Sequence, residues 1–433
     1  MRPDRPLRQV LALALPSLGV LAAEPLYLLV DTAVVGNLGA VPLAGLAVAG
    51  VLLAVVASQS VFLSYATTAR AARLHGAGRR ADAVNEGVQA TWLALSLGLL
   101  LLVVGQVVAE PITGALAGSA EVADAAVSWL RIALLGVPAI LVSLAGNGWL
   151  RGIQEAGRPL RFVLVGFGLS AVLCPILVYP VGWGLVGSAV ANVVGQSVAA
   201  ALFLAALLRE RVPLVPDLRR MRAQLVLGRD LVVRSAALQA CFLSATAVAA
   251  QTSTATVAAH QVVLQLWFFL ALVLDSLAIA AQSLVGEALG AGDSDRAVQL
   301  ARHITGYGLV FGLLLAGSFA ALPGVLPRVF TADAAVLAQI GVAWWFFVAL
   351  QPVCGVVFAI DGVLMGSGDA AYLRTITLAA ALLGFLPVVW ASLIFGWGIA
   401  GIWTGLTAFM MARLVLGLAR TRTARWAVIG AER

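Results

Sequence analysis

Twelve apolar runs, each long enough to cross a bilayer as a helix, dominate this 433-residue chain and leave it almost no other way to fold. They lie near residues 8–34, 42–70, 82–108, 122–150, 158–180, 185–208, 228–252, 256–286, 297–322, 334–365, 371–394 and 398–420. A span needs about 20 predominantly apolar residues, and the longer runs imply tilt or extension past the bilayer rather than extra spans. In hydrocarbon every backbone N–H and C=O needs an internal partner, so the runs must be helices and the fold class is an all-α polytopic membrane protein. A chain with 62% hydrophobic and 11% charged residues could not cover a soluble surface.

Arginine supplies all 27 basic residues and collects in alternate loops: at Arg2, Arg5 and Arg8, from Arg70 to Arg80, from Arg151 to Arg161, from Arg209 to Arg234, at Arg296 and Arg302, at Arg374, and from Arg413 onward. The opposite loops hold one, Arg328. The arginine-rich side and both termini are therefore expected in the cytoplasm, with the chain in the cytoplasmic (inner) membrane. Topology accounts for the net charge of +7, and no nucleic-acid partner is expected. Arg131, in span 4, is read as the only arginine well within a span, its guanidinium snorkelling outward. Cys174, Cys241 and Cys354 lack metal-site or redox spacing, so no metal and no cofactor beyond a coupling ion is expected. The basic N-terminus is like that of a signal peptide, but the run behind it carries Glu24 and Asp31 and reads as a retained first helix.

The two halves repeat. At a constant offset of 214 residues, Gly76 matches Gly290, Gly98 matches Gly312, Pro138 matches Pro352, Gly152 matches Gly366, and Gly182-Trp183-Gly184 matches Gly396-Trp397-Gly398. Six spans per copy is an even number, so both copies share one topology and an axis along the membrane normal relates them. The division is an N-lobe at 1–208, an inter-lobe linker at 209–227 carrying Pro213 and Pro216, and a C-lobe at 228–433 with a short cytoplasmic tail.

Asp31 stands within span 1. A carboxylate at bilayer depth costs about 2.5 kcal/mol or more, so such acids mark ion sites and proton relays. Glu24, Tyr27 and Asp31 are spaced i, i+3, i+7 and so share one helix face. Burial disfavours the charged form of an acid, which makes Asp31 a candidate proton carrier; a purely structural reading, in which it ties helices together through Tyr27 or Asn147, stays open. Pro16 and Pro25 each remove a backbone hydrogen bond and give span 1 two places to bend.

Pro16, Glu24-Pro25-Leu26-Tyr27, Asp31-Thr32-Ala33-Val34-Val35-Gly36, Leu150-Arg151-Gly152, Ala258-Ala259-His260-Gln261, the stretch from Asp275 to Gln282 and that from Asp361 to Asp369 resemble the DinF branch of the multidrug and toxic compound extrusion (MATE) transporters. The resemblance covers nearly the whole chain. It implies a V-shaped, two-lobed secondary antiporter, not an enzyme, that exports bulky amphipathic organic compounds by alternating access in exchange for protons or sodium ions. It also implies Asp31 as the coupling site, Pro16 as the bend, and a polar cluster to which Tyr27 and Asn147 conform. On span 5, Ser170-Ala171-Val172-Leu173-Cys174-Pro175 lacks the family's second carboxylate, and Asn192 on span 6 takes the place of a hydroxyl. A lone aspartate among neutral groups suits a proton better than sodium.

In the second half Asp275, Gln282, Asp361, His260 and Gln261 are the polar candidates, and a pairing of span 8 with span 10 through them is expected. Asp275 reads equally as a latch or a second proton site, and Asp361 as a helix-end or gate residue. The alternatives are a sodium-coupled exporter of the same family and a flippase of lipid-linked intermediates from the wider superfamily. A membrane enzyme finds no motif to support it, and a passive channel has no need of Asp31. The expected partners are a small amphipathic substrate and the bilayer, with the chain working as a monomer.

Overall fold

The computed structural model describes residues 6–431; Arg2, Arg5 and the final arginine of the basic tail lie outside them. Helices fill the chain in an order that repeats. The first series is α1 (Pro6–Gly36), α2 (Ala40–Ser60), α3 (Phe62–Gly76), α4 (Arg80–Leu116), α5 (Ala120–Leu134), α6 (Val137–Gly152), α7 (Gly157–Val178) and α8 (Gly184–Arg209). The second is α9 (Leu218–Thr252), α10 (Thr254–Gly290), α11 (Ser294–Ala320), the short α12 (Leu326–Phe330), α13 (Ala334–Gly366), α14 (Ala370–Ala379), a π-helical turn at Ala380–Phe385, α15 (Leu386–Ile394) and α16 (Gly398–Arg422). Among the described residues eleven helical segments, with α2 and α3 taken together and likewise α14 and α15 with the turn between them, are long and apolar enough to cross a membrane, or twelve when α5 and α6, bent by 49°, count as one.

The chain divides into two compact units. One is Leu15–Gly228; the other runs from Arg229 to Ala431 and takes in the start of α1 up to Ala14. Each has an apolar core built from Ala, Leu, Val and aromatic side chains, around Trp129 and Leu141 in the first and around Trp344, Phe347 and Trp403 in the second.

The repeat is physical as well as textual. A Cβ on Gly98 would stand 2.6 Å from Pro138 Cα, and one on Gly312 would stand 2.7 Å from Pro352 Cα, so the matched glycines and prolines pack on each other in both units. Gly78 and Gly292 have φ of 74° and 80°, and Gly182 and Gly396 have 78° and 67°, so the same turns take the same left-handed backbone.

The segment after α8 folds back on its own unit. Trp92 Nε1 donates to the Leu214 carbonyl at 2.8 Å, Gln89 Nε2 to that of Val215 at 3.0 Å, and Arg220 reaches Asp82 at 3.0 Å. Helix α9 begins at Leu218, inside the segment read as linker. Asp217 accounts for the early start, since its Oδ1 accepts from the N–H groups of Arg219 and Arg220 at the helix entrance.

Candidate functional site

Pro16 and Pro25 lie within α1, which runs as one continuous helix. Near its end Tyr179 Oη, just past α7, donates to the Val34 carbonyl at 2.6 Å. One turn back is Asp31, 1% exposed. Its Oδ1 accepts from Ser188 Oγ on α8 at 2.5 Å and from Cys174 Sγ on α7 at 3.2 Å. Trp129 Nε1, from α5, donates to the same serine at 3.1 Å, leaving the serine hydrogen for the carboxylate. Asp31 Oδ2 has no hydrogen-bond partner among the described residues, and neither do Tyr27 Oη and Asn192 Oδ1. Two donors on one oxygen and none on the other leave a place where a proton can be added without breaking either bond.

The polar cluster read from the sequence falls into two groups. Tyr27 and Cys174 are buried within electrostatic reach of Asp31, with Asn192 beside Tyr27. Ser170 instead donates to the Ala191 carbonyl at 3.0 Å and ties α7 to α8. Glu24 and Asn147 line a cavity of about 160 Å3 with Ser64, Tyr65, Arg151 and Phe167. Glu24 is exposed there, whereas Tyr27 and Asp31, on the same stripe of α1, are covered by α7 and α8. The Tyr27 and Phe167 rings, 5.7 Å apart, stand between the two groups.

The reading of span 6 needs correction: a hydroxyl does reach Asp31, from Ser188, one turn ahead of Asn192. The only signal for it was a serine on the same helix face, four residues away.

In the other unit Asp361 on α13 is buried between two arginines. Arg234 Nη2 on α9 lies 2.5 Å from its Oδ2, and Arg413 Nη2 on α16 bonds the same oxygen. Arg413 is 4% exposed. Arg131 is therefore not the only arginine well within a span; it lies at an exposed position 3.2 Å from Glu110. Arg234 and Arg413 were visible as charges inside apolar runs but were counted with the cytoplasmic loops.

The remaining candidates lie on α10. His260 is buried with its ring edge-on to Trp403 at 6.1 Å, and Gln261 is exposed. Asp275 is half-buried and Gln282 buried. Helices α10 and α13 pack closely, with small residues at the contact: a Cβ on Gly362 or Gly366 would strike the backbone of Ala278 or Gln282.

At the repeat offset of 214, Asp361 is the counterpart of Asn147, Arg234 of Val20 and Arg413 of Ala199. Val20, Asn147 and Ala199 all line the cavity of the first unit. What is space beside Glu24 in one half is an ion triad in the other.

The MatE family model matches residues 16–176 and 231–390. Protein DETOXIFICATION 44, chloroplastic, of Arabidopsis thaliana is 34% identical over 97% of this chain and 84% of its own length. DNA damage-inducible protein F of Escherichia coli (strain K12) is 29% identical over 93% of this chain and 89% of its own. The fold superposes with a TM-score of 0.88 on a MOP superfamily transporter from Pyrococcus furiosus, at 20% identity and 97% coverage of each chain. Repeated halves, membrane-crossing helices and matched sequence agree, and the chain belongs to the multidrug and toxic compound extrusion (MATE) family of membrane transporters.

Proposed function

We propose that this transporter exports amphipathic organic compounds in exchange for protons, with Asp31 as the coupling site. The observation that carries the reading is the one-sided bonding of the Asp31 carboxylate: Ser188 and Cys174 hold Oδ1, and Oδ2 is open. A sodium ion would ask for several oxygen ligands around it. The two groups bonded to the Asp31 carboxylate are donors, a hydroxyl and a thiol, and neither α7 nor α8 carries a second carboxylate to balance a sodium charge.

Coupling then follows from geometry. Protonation of Oδ2 turns an acceptor into a donor within reach of Tyr27, which has Asn192 beside it. The two protonation states thus favour different packings of α1 against α7 and α8. Export is driven when these packings differ in substrate affinity, because a ligand shifts an equilibrium only by its differential binding. Pro16 and Pro25 supply the places where α1 can change shape.

Glu24, exposed in the cavity next to Phe167 and Tyr65, is the acid we assign to the substrate side. In the second unit the carboxylate of Asp361 is already neutralised by two guanidinium groups, which argues against a sodium site there. We assign both ends of the chain to the cytoplasmic side, the side of the arginine-rich loops.

The test is transport in liposomes of the wild type and Asp31→Asn under an imposed pH gradient, with and without sodium. Export that needs Asp31 and the pH gradient but not sodium is the expected result. Normal export by Asp31→Asn, or an absolute need for sodium, would overturn the assignment.

A further inference from the structure

The second unit holds a larger cavity, about 450 Å3, at the loop-side ends of α11 and α16. Arg302 on α11 and Arg422 on α16 both line it, together with Thr305, Thr421 and Trp426. Val298, Ala301 and Leu418 are the aliphatic part of its lining. Both arginines are exposed, and neither has an ion-pair partner among the described residues. The indole of Trp426 is buried, its Nε1 donating to the Thr421 carbonyl at 3.1 Å, which fixes the back of the pocket.

The repeat supplies an internal control. At the offset of 214, Arg302 corresponds to Val88, Arg422 to Leu208 and Thr421 to Leu207. The first unit folds with aliphatic side chains at all three places, so the architecture does not require the charges. The C-terminal end of α16 carries partial negative charge, which the full positive charges of Arg422 there and Arg302 on α11 outweigh. A pair of planar donors over a small apolar wall, at the level where span meets loop, matches a phosphodiester whose acyl chains lie along the helices.

We propose that this pocket seats the headgroup phosphate of an anionic phospholipid of the inner leaflet, gripped by Arg302 and Arg422. The proposal rests on the cytoplasmic placement of the arginine-rich loops, but not on the coupling ion or on the substrate.

The experiment is thermal unfolding of the full-length protein in detergent, titrated separately with phosphatidylglycerol, phosphatidylcholine and inorganic phosphate. Wild type is compared with Arg302→Gln/Arg422→Gln and with Arg328→Gln, which changes an arginine elsewhere. Phosphatidylglycerol alone is expected to give a saturable rise in the unfolding midpoint. The double variant should need about thirtyfold more lipid, equivalent to about 2 kcal/mol at about 1 kcal/mol per arginine, while Arg328→Gln binds as the wild type does. Equal response of wild type and double variant, an equal effect of phosphatidylcholine, or reproduction of the effect by inorganic phosphate would each overturn the lipid assignment. Because no transport is measured, any of these leaves the antiport reading standing.

Discussion

Ser188 Oγ lies 2.5 Å from Asp31 Oδ1, the shortest polar contact the carboxylate makes, and it joins α8 to the last turns of α1. Ser188→Ala removes a hydrogen bond to a charged group, worth about 1.5–3 kcal/mol. Proton-driven export should fall roughly tenfold or more, and Ser188→Cys should restore part of it. Substrate-dependent proton flux, followed with a pH-sensitive dye in liposomes, measures both.

Glu24 belongs to the cavity and Asp31 does not. Glu24→Gln should therefore change which compounds are carried, weakening organic cations most, while a neutral substrate still exchanges for protons. Competition among cationic, neutral and anionic compounds in the same vesicles separates the two roles; loss of all coupling in Glu24→Gln would merge them.

The Arg234, Asp361 and Arg413 triad should make the second unit sensitive to single changes and tolerant of a concerted one. Removing one partner of a buried ion group costs about 3–5 kcal/mol, whereas replacing the whole group by apolar side chains of similar size is often neutral or better. Asp361→Leu is expected to lower the thermal unfolding midpoint sharply, and Arg234→Met/Asp361→Leu/Arg413→Met to recover most of it. Sodium should not shift the midpoint of the wild type.

Matched glycines predict matched costs. A methyl group added at Gly98 or Gly312 meets the backbone of a proline, so Gly98→Ala and Gly312→Ala should each destabilise by about 1–3 kcal/mol. Gly114, in the same helix as Gly98 but with nothing within 4 Å of an added Cβ, is the control. Its alanine variant should change stability by no more than about 1 kcal/mol, as read from unfolding in detergent.

Features of the chain that are local or periodic could be read without coordinates. Apolar length is one, and the register that pairs Gly98 with Gly312 is another, because neither depends on knowing which helices touch. Asp31 was legible for the same reason, since a charge inside an apolar run needs a partner wherever the run lands. Ser188, Trp129 and the separation of Glu24 from Asp31 were not, because they depend on how α5, α7 and α8 are rotated against α1. Arg234 and Arg413 were hidden differently: an arginine a few residues inside a span looks the same as one in the loop until the helix bounds are drawn. The start of α9 was missed because Asp217 caps the helix within a stretch whose prolines and charges read as linker.

The pairing of an open cavity in one half with an ion triad in the other sets the two halves apart as material for evolution. Around Val20, Leu21, Ile140 and Ala199, one residue can be exchanged for another of similar bulk without stranding a charge. At Arg234, Asp361 and Arg413 loss of the carboxylate strands two buried cations, loss of either arginine breaks a buried ion contact, and the neutral alternative lies three substitutions away. Descendants of this chain that meet new toxic compounds should therefore diverge first in the half that carries Asp31, while the other half is inherited almost unchanged.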